Sequence, residues 1–329
     1  MIVFDGTAME NTFFELLDIL RDESQPIPTQ RINEFSDLDR DQIQEFVSTW
    51  TTISTQRKQQ ILQIMGQRAY DHIELSFEAI NRIAIQDPAS EVRSIAIENL
   101  WESEDPSLVP ILLESLGYTG DEQIRAVAAT ALGKFVWLGE IEKIPTEFLS
   151  QVETSLLDAC KNDVSIVVRR RSLESIGYSS HDQASQQIED AYNTNDEGIQ
   201  QSAIIAMGRS ANERWDTYVL NELINPDPLI RLEATRAAGE LEIREALDLL
   251  IDLLQDVNDD IRLATIWALA EIGGDAALNA LVELSDNSED NALQDVIQEA
   301  IDHLTFMEGS RNLLLFDFDE DQDSKAPES

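Results

Sequence analysis

The sequence predicts an all-α protein: an α-solenoid of about seven helix-turn-helix repeats behind an N-terminal helical cap. Three observations predict it. A short segment recurs, as "VRSIAIENLW" (92–101), "IRAVAATALG" (124–133) and "IRLEATRAAG" (230–239). Within each copy, small and apolar residues fall at helical spacing. Helix formers (Ala, Leu, Ile, Glu, Gln) dominate the composition, while glycine and proline are modest.

The first third is the least regular. "MENTFFELLDILRD" (9–22) reads as an amphipathic helix and "ESQPIPTQ" (23–30) as a linker. "SDLDRDQIQEFVSTW" (36–50) opens on a capping serine and acidic residues suited to a first helical turn. Residues 1–55 are therefore expected to cap the first apolar face of an array spanning 56–310. "RKQQILQIMGQRAYDHI" (57–73) reads as a diverged first repeat.

The first residue of each copy is taken as position zero. Copies then start at Val92, Ile124, Val168, Ile199, Ile230, Ile261 and, degenerately, Ala292. The last four intervals are each 31 residues, the first is 32, and the one from Ile124 to Val168 is 44. The excess falls around 136–149, read as an insertion in a loop or an extra turn. Periods of this size mark stacked supersecondary units, each too small to bury its own apolar face.

Positions zero, four and eight share one helix face and are apolar or small. Gly133, Gly177, Gly208 and Gly239 follow at position nine, where glycine is expected to end a helix. Five residues before zero stand Asp87, Thr119, Asp163, Thr194, Asn225, Asp256 and Asn287, all suited to capping or to tight turns. One residue after zero is arginine in five of seven copies: Arg93, Arg125, Arg169, Arg231 and Arg262. Acceptor and arginine, six apart, are expected to form a ladder between repeats through Asp87–Arg93, Asp163–Arg169 and Asp256–Arg262.

A second amphipathic segment is read before each copy, as in "TYVLNELI" (217–224) and "EALDLLIDLL" (245–254). The Asp/Asn turn, the "VR/IR" pair, the alanine four later and the "LG/IGG" ending, as in "DVNDDIRLATIWALAEIGG" (256–274), resemble the HEAT-repeat superfamily. The short HEAT-like repeats of phycobilisome lyase subunits are similar. The resemblance covers roughly residues 85–305. It implies a right-handed, armadillo-like solenoid whose second helices line a concave surface. It says little of function, because such arrays serve as scaffolds, adaptors, lyase subunits and enzymes.

The exposed face is expected at positions two, six, nine and ten. The stretch "VVRRRSLESIG" (167–177) places Arg169 in the ladder and Arg170 and Arg171 beside that face. Arg209 and Arg236 join them in later copies, giving either a cationic groove or local pairs with glutamates. Ile205, Leu232, Leu263 and Trp267 form a candidate apolar patch for a partner.

A formal net charge of −41, from 64 acidic and 23 basic residues, opposes nucleic acid and anionic membranes. It favours a basic partner protein. The single cysteine, Cys160, fits a reducing, cytoplasmic compartment and a core position. No secretory leader is expected from "MIVFDGTAME", and no apolar run of about 18 residues occurs. His72, His181 and His303 fall in different repeats, and no His–Glu dipeptide occurs, so the di-iron chemistry of HEAT-like hydroxylases is not expected. The tail 311–329 is read as acidic and disordered. It places Asp317, Asp319, Asp321 and Glu328 at calcium-loop spacing, but Gln322 stands where the turn needs glycine. No cofactor, metal or catalytic constellation is expected. The functional expectation is a non-catalytic protein-binding scaffold or adaptor. The alternative implied by the resemblance is a lyase-type subunit that binds a prosthetic group or chaperones its attachment.

Overall fold

The computed structural model describes residues 6–320, with side chains described for residues 12–307 and 309. These residues fold into seventeen α-helices and no strand. The chain divides after Ser175 into two compact units. Each is a stack of HEAT-like helix pairs, so the fold class is the expected one.

The first unit opens with α1 (Gly6–Arg21) and α2 (Arg40–Trp50), then α3 (Thr55–Asp71). Asp39 caps α2 in a reciprocal capping box with Gln42. Phe13, Phe35, Phe46 and Trp50 form a chain of ring contacts with centroids 5.3–5.7 Å apart, the core of this N-terminal region. Three helix pairs follow. They are α4 (Glu78–Ala84) with α5 (Ser90–Asn99), α6 (Val109–Leu116) with α7 (Glu122–Glu140), and α8 (Thr146–Asn162) with α9 (Ile166–Ile176).

The second unit holds α10 (Asp182–Tyr192) with α11 (Glu197–Arg209), and α12 (Asp216–Glu222) with α13 (Pro228–Glu240). It continues with α14 (Leu247–Leu253), α15 (Asp259–Ile272), α16 (Asp275–Asn287) and α17 (Asn291–Glu320). α17 thus carries ten residues of the segment read as a disordered tail, and residues 321–329 lie outside the described residues. Asp321, Gln322 and Glu328, whose spacing was weighed against a calcium loop, lie there too.

The second helices α5 to α15 each begin two residues before position zero and α17 begins one before, and their core residues follow the repeat frame. Val92, Ala96, Ile124, Ala128, Leu132, Ile230, Ala234, Ala238, Ile261 and Leu269 are all fully or nearly fully buried. The frame extends one copy further back than the seven counted from sequence. In α3, Ile61, Met65 and Gly66 take positions four, eight and nine of a copy starting at Arg57, and Ile61 and Met65 are buried.

The turns before α13 and α15 each use two polar side chains, and other copies keep one or both. Asp87, Asp163, Asn225 and Asp256, at minus five, each accept the backbone N–H two residues on, at 2.7–3.0 Å. Asp121, Asp196, Asp227 and Asn258, at minus three, are the helix N-caps. The residues at minus five therefore hold the turn and those at minus three cap the helix.

Two expectations change. The extra residues around 136–149 are mostly helix: α7 has 19 residues and α8 has 17, against 13 in α13 and 7 in α14. The segment keeps helical period, and Phe135, Val136 and Leu138 bury. The position-nine glycines do not end their helices, except that α9 stops just before Gly177. α7, α11 and α13 run through Gly133, Gly208 and Gly239. What requires glycine is the neighbouring helix. A Cβ on Gly239 would lie 2.8 Å from Ala268 Cα, and one on Gly133 would lie 3.2 Å from Ser175 Cα. The contacted residue is position seven of the next copy each time, Asn99, Ser175, Ala206, Ala237 or Ala268. α13 instead ends on Glu242, whose φ is 50°, with Ile243 N–H closing on Ala238 O at 3.0 Å.

Candidate functional site

The ladder exists with a different wiring from the one expected. Each arginine sends Nη1 to a backbone carbonyl of its own turn, not to a carboxylate. Arg93 reaches Asp87 O, Arg169 reaches Asp163 O and Arg262 reaches Asp256 O, each at 2.8 Å. The carboxylate belongs to the arginine of the copy before. Arg125 forks onto Asp163 at 2.8 and 3.0 Å, and Arg231 forks onto Asp256 at 2.7 and 3.2 Å. Arg231 also holds Asn225 O at 2.6 Å, so one guanidinium clasps two successive turns. Lys58 starts the series, meeting Asp87 at 2.7 Å beside Trp50 Nε1 at 2.9 Å. The reversal has a simple cause: six residues of helix and turn bring the arginine back under its own turn's carbonyl, while its fork points down the stack. Hydrogen bonds from Arg231 hold the Asp256 carboxyl below the usual carboxylate range.

These ladder residues are largely buried and structural. The face left open lies on the second helices, chiefly at positions six and ten, as at Glu98, Glu102, Arg236, Glu240 and Trp267. Two clefts occupy it, one in each unit. In the first unit a cleft of about 490 Å³ runs between α5 and α7. Its walls are apolar: Ile97, Leu108, Leu112, Ala126, Val127 and Phe135. Trp101, 62 % exposed, stands at its edge, and Glu98, Lys134 and Arg171 complete the lining. Trp101 explains the opening. It occupies position nine, where the next four copies have the glycines that let a neighbouring helix close in.

In the second unit a cleft of about 360 Å³ lies between α13 and α15. Here Gly239 sits against Ala268, and the cleft is a shallower depression above that contact. Arg236, Glu240, Asp260, Leu263, Trp267 and Glu271 line it. Glu240 remains accessible to water yet is crowded by protein, and that desolvation pushes its pKa up.

The sequence-derived candidates distribute over both units. Leu263 and Trp267 are each 39 % exposed and line the second cleft, while Ile205 is half-buried. Leu232 is buried, which removes it from the expected patch. α13 packs closely on both sides, against α11 at Gly208 and against α15 at Gly239. Trp267 carries the ring of His303 from α17 at 6.4 Å, and His303 also meets Glu271 at 3.2 Å.

The arginines expected to form a cationic groove are engaged locally. Arg171 pairs with Glu174 at 2.7 Å and Arg236 with Glu233 at 3.2 Å, both glutamates being buried. Arg209 lies over the Tyr178 ring at 5.3 Å, and Arg170 is half-buried. Trp101, Glu98 and the first cleft were missed by sequence reasoning. The missing glycine at position nine of that copy was the available signal.

Among the described residues no group of His, Cys, Asp and Glu could hold a metal ion, and no helix is long and apolar enough to cross a membrane. Cys160 is buried, and that burial pushes its thiol pKa far up, as suits a core residue rather than a nucleophile.

A sequence profile for HEAT repeats matches residues 217–302, from α12 into α17. No curated protein matches the sequence. Similar solved structures include YibA of Escherichia coli, with 17 % identity and a TM-score of 0.41 over 74 % of this chain and 95 % of that one. Another is the complex of CpcE and CpcF of phycocyanin lyase from Nostoc sp. PCC7120, with 16 % identity and a TM-score of 0.46 over 70 % and 95 %. Human deoxyhypusine hydroxylase in complex with glycerol is also similar, with 15 % identity and a TM-score of 0.33 over 81 % and 97 %.

Proposed function

We propose that this protein is a non-catalytic scaffold or adaptor that binds a partner protein along the exposed face of its second helices. The observation that carries the reading is the recurrence of a cleft at the same repeat positions in each unit, with a partly exposed tryptophan at each. Trp101 and Trp267 are large, rigid and half-accessible, the side-chain type that dominates interface energetics. The polar face around them is solvated, as at an interface rim. A net charge of −41 adds long-range attraction for a basic partner.

The test is capture from native lysate on the immobilised full chain, washed at graded salt and compared with Trp101→Ala and Trp267→Ala. The reading expects proteins whose retention falls with either substitution while melting is unchanged. Retention that is insensitive to both, or equal on an unrelated protein of matched acidity, contradicts it.

A further inference from the structure

The first cleft points to the chemistry of its occupant. Three charged side chains line it, and two are already satisfied. Lys134 Nζ donates to Trp101 O at 2.9 Å and to Glu102 O at 2.6 Å, carbonyls just beyond the end of α5. Arg171 is paired with Glu174. Glu98 is different: its carboxylate has neither a hydrogen bond nor an ion pair among the described residues. It sits on the wall of an apolar cleft whose other opening residue is the exposed ring of Trp101.

An unpaired surface glutamate alone means little, since water solvates it. Here the surroundings count. The cleft walls crowd the Glu98 carboxylate, and that desolvation pushes its pKa up. A cation arriving beside it restores the lost stabilisation of the charge. The same cation can lie over Trp101, whose ring face attracts it. The apolar volume, about 490 Å³, falls in the range of ~300–1,000 Å³ typical of ligand clefts. It accepts the aliphatic stem of a lysine or arginine together with a neighbouring apolar side chain. The charge of −41 steers such a segment in and repels an acidic one.

We infer that the α5–α7 cleft docks a basic, apolar segment of the partner protein, with an arginine or lysine set between Glu98 and Trp101 and an adjacent apolar side chain in the cleft. This rests on the scaffold reading and names the partner's chemistry at one of its two clefts.

The test uses the full chain and fluorescein-labelled peptides, with affinity read by anisotropy. The probe is Ser-Leu-Arg-Leu-Lys-Leu-Ser. The controls are Ser-Leu-Glu-Leu-Glu-Leu-Ser and Ser-Ser-Arg-Ser-Lys-Ser-Ser. The probe should bind about tenfold or more tighter than either control, because each control lacks one of the two required features. Glu98→Gln should weaken it about three- to tenfold, the worth of one partly shielded ion pair. Trp101→Ala should weaken it at least as much, while Glu45→Gln, an exposed acid in the cap, should leave it within about twofold. Equal binding of the acidic peptide, equal binding of the polar basic peptide, or indifference to both Glu98→Gln and Trp101→Ala overturns the inference. If the probe fails while lysate capture still depends on Trp267, the inference falls and the scaffold reading stands. If capture depends on neither tryptophan, the scaffold reading falls as well.

Discussion

The α13–α15 interface in the second unit and the α5–α7 interface in the first have the same repeat frame and opposite outcomes. In the former, Gly239 admits the backbone of Ala268, and Arg231 forks onto Asp256 of the next turn. In the latter, Trp101 stands at the equivalent of Gly239. Arg93 reaches only the carbonyls of its own turn and lies over Tyr118 at 4.9 Å. One interface is closed and cross-braced, while the other is open and lined with apolar side chains. The two interfaces differ at position nine, Trp101 against Gly239, and at the acceptor five before the next copy, Thr119 against Asp256, while the arginine at position one is the same in both.

The largest effect should come from the brace. Arg231→Ala leaves the largely buried Asp256 carboxylate without its cation and should cost about 3–5 kcal/mol in chemical denaturation. Arg93→Ala, which removes only carbonyl bonds and a ring contact, should cost about 1 kcal/mol. Equal costs would erase the distinction between the two interfaces. Arg262→Ala belongs with Arg93→Ala, because Asp256 keeps Arg231 when Arg262 is removed.

Gly239→Ala should cost about 1–3 kcal/mol despite alanine's better helix propensity, because the new methyl meets Ala268 backbone. Trp101→Ala, at a position 62 % exposed, should change stability by less than about 1 kcal/mol. A stabilised Gly239→Ala would mean that α13 and α15 have slack.

Acid should act on the brace. The Asp256 pKa is depressed in the folded chain, so its contribution is full above the unfolded value of ~4 and is lost as pH falls through the folded one. Urea unfolding at neutral pH and at pH ~3 should show a smaller acid loss in Asp256→Asn than in the parent. An unchanged loss would place the acid sensitivity elsewhere.

The sequence made the helical repeat legible because positions zero, four and eight must bury whatever else varies, as Ile124, Ala128 and Leu132 do. It also made the Asp and Arg positions legible, but not their wiring. Asp256 is six residues from Arg262 and 25 from Arg231, and only the stack shows that the distant one is the partner. The same limit hid the first cleft. Glycine at position nine reads as a helix stop until a neighbouring backbone is seen against it. Trp101 then reads as an ordinary variation rather than as the side chain that holds the interface open. Leu232 was misplaced for the converse reason: its wheel position faces outward, yet it is buried in a helix that packs closely against a neighbour on each side.

The openness of the α5–α7 interface can be measured without knowing the partner. Titration with the neutral dye Nile red should give one saturable site in the parent protein. Ala131→Phe, which fills the cleft from α7, should abolish that site while leaving the melting transition in place. Undiminished dye binding by a folded Ala131→Phe protein would contradict the view that the missing glycine makes this interface the open one.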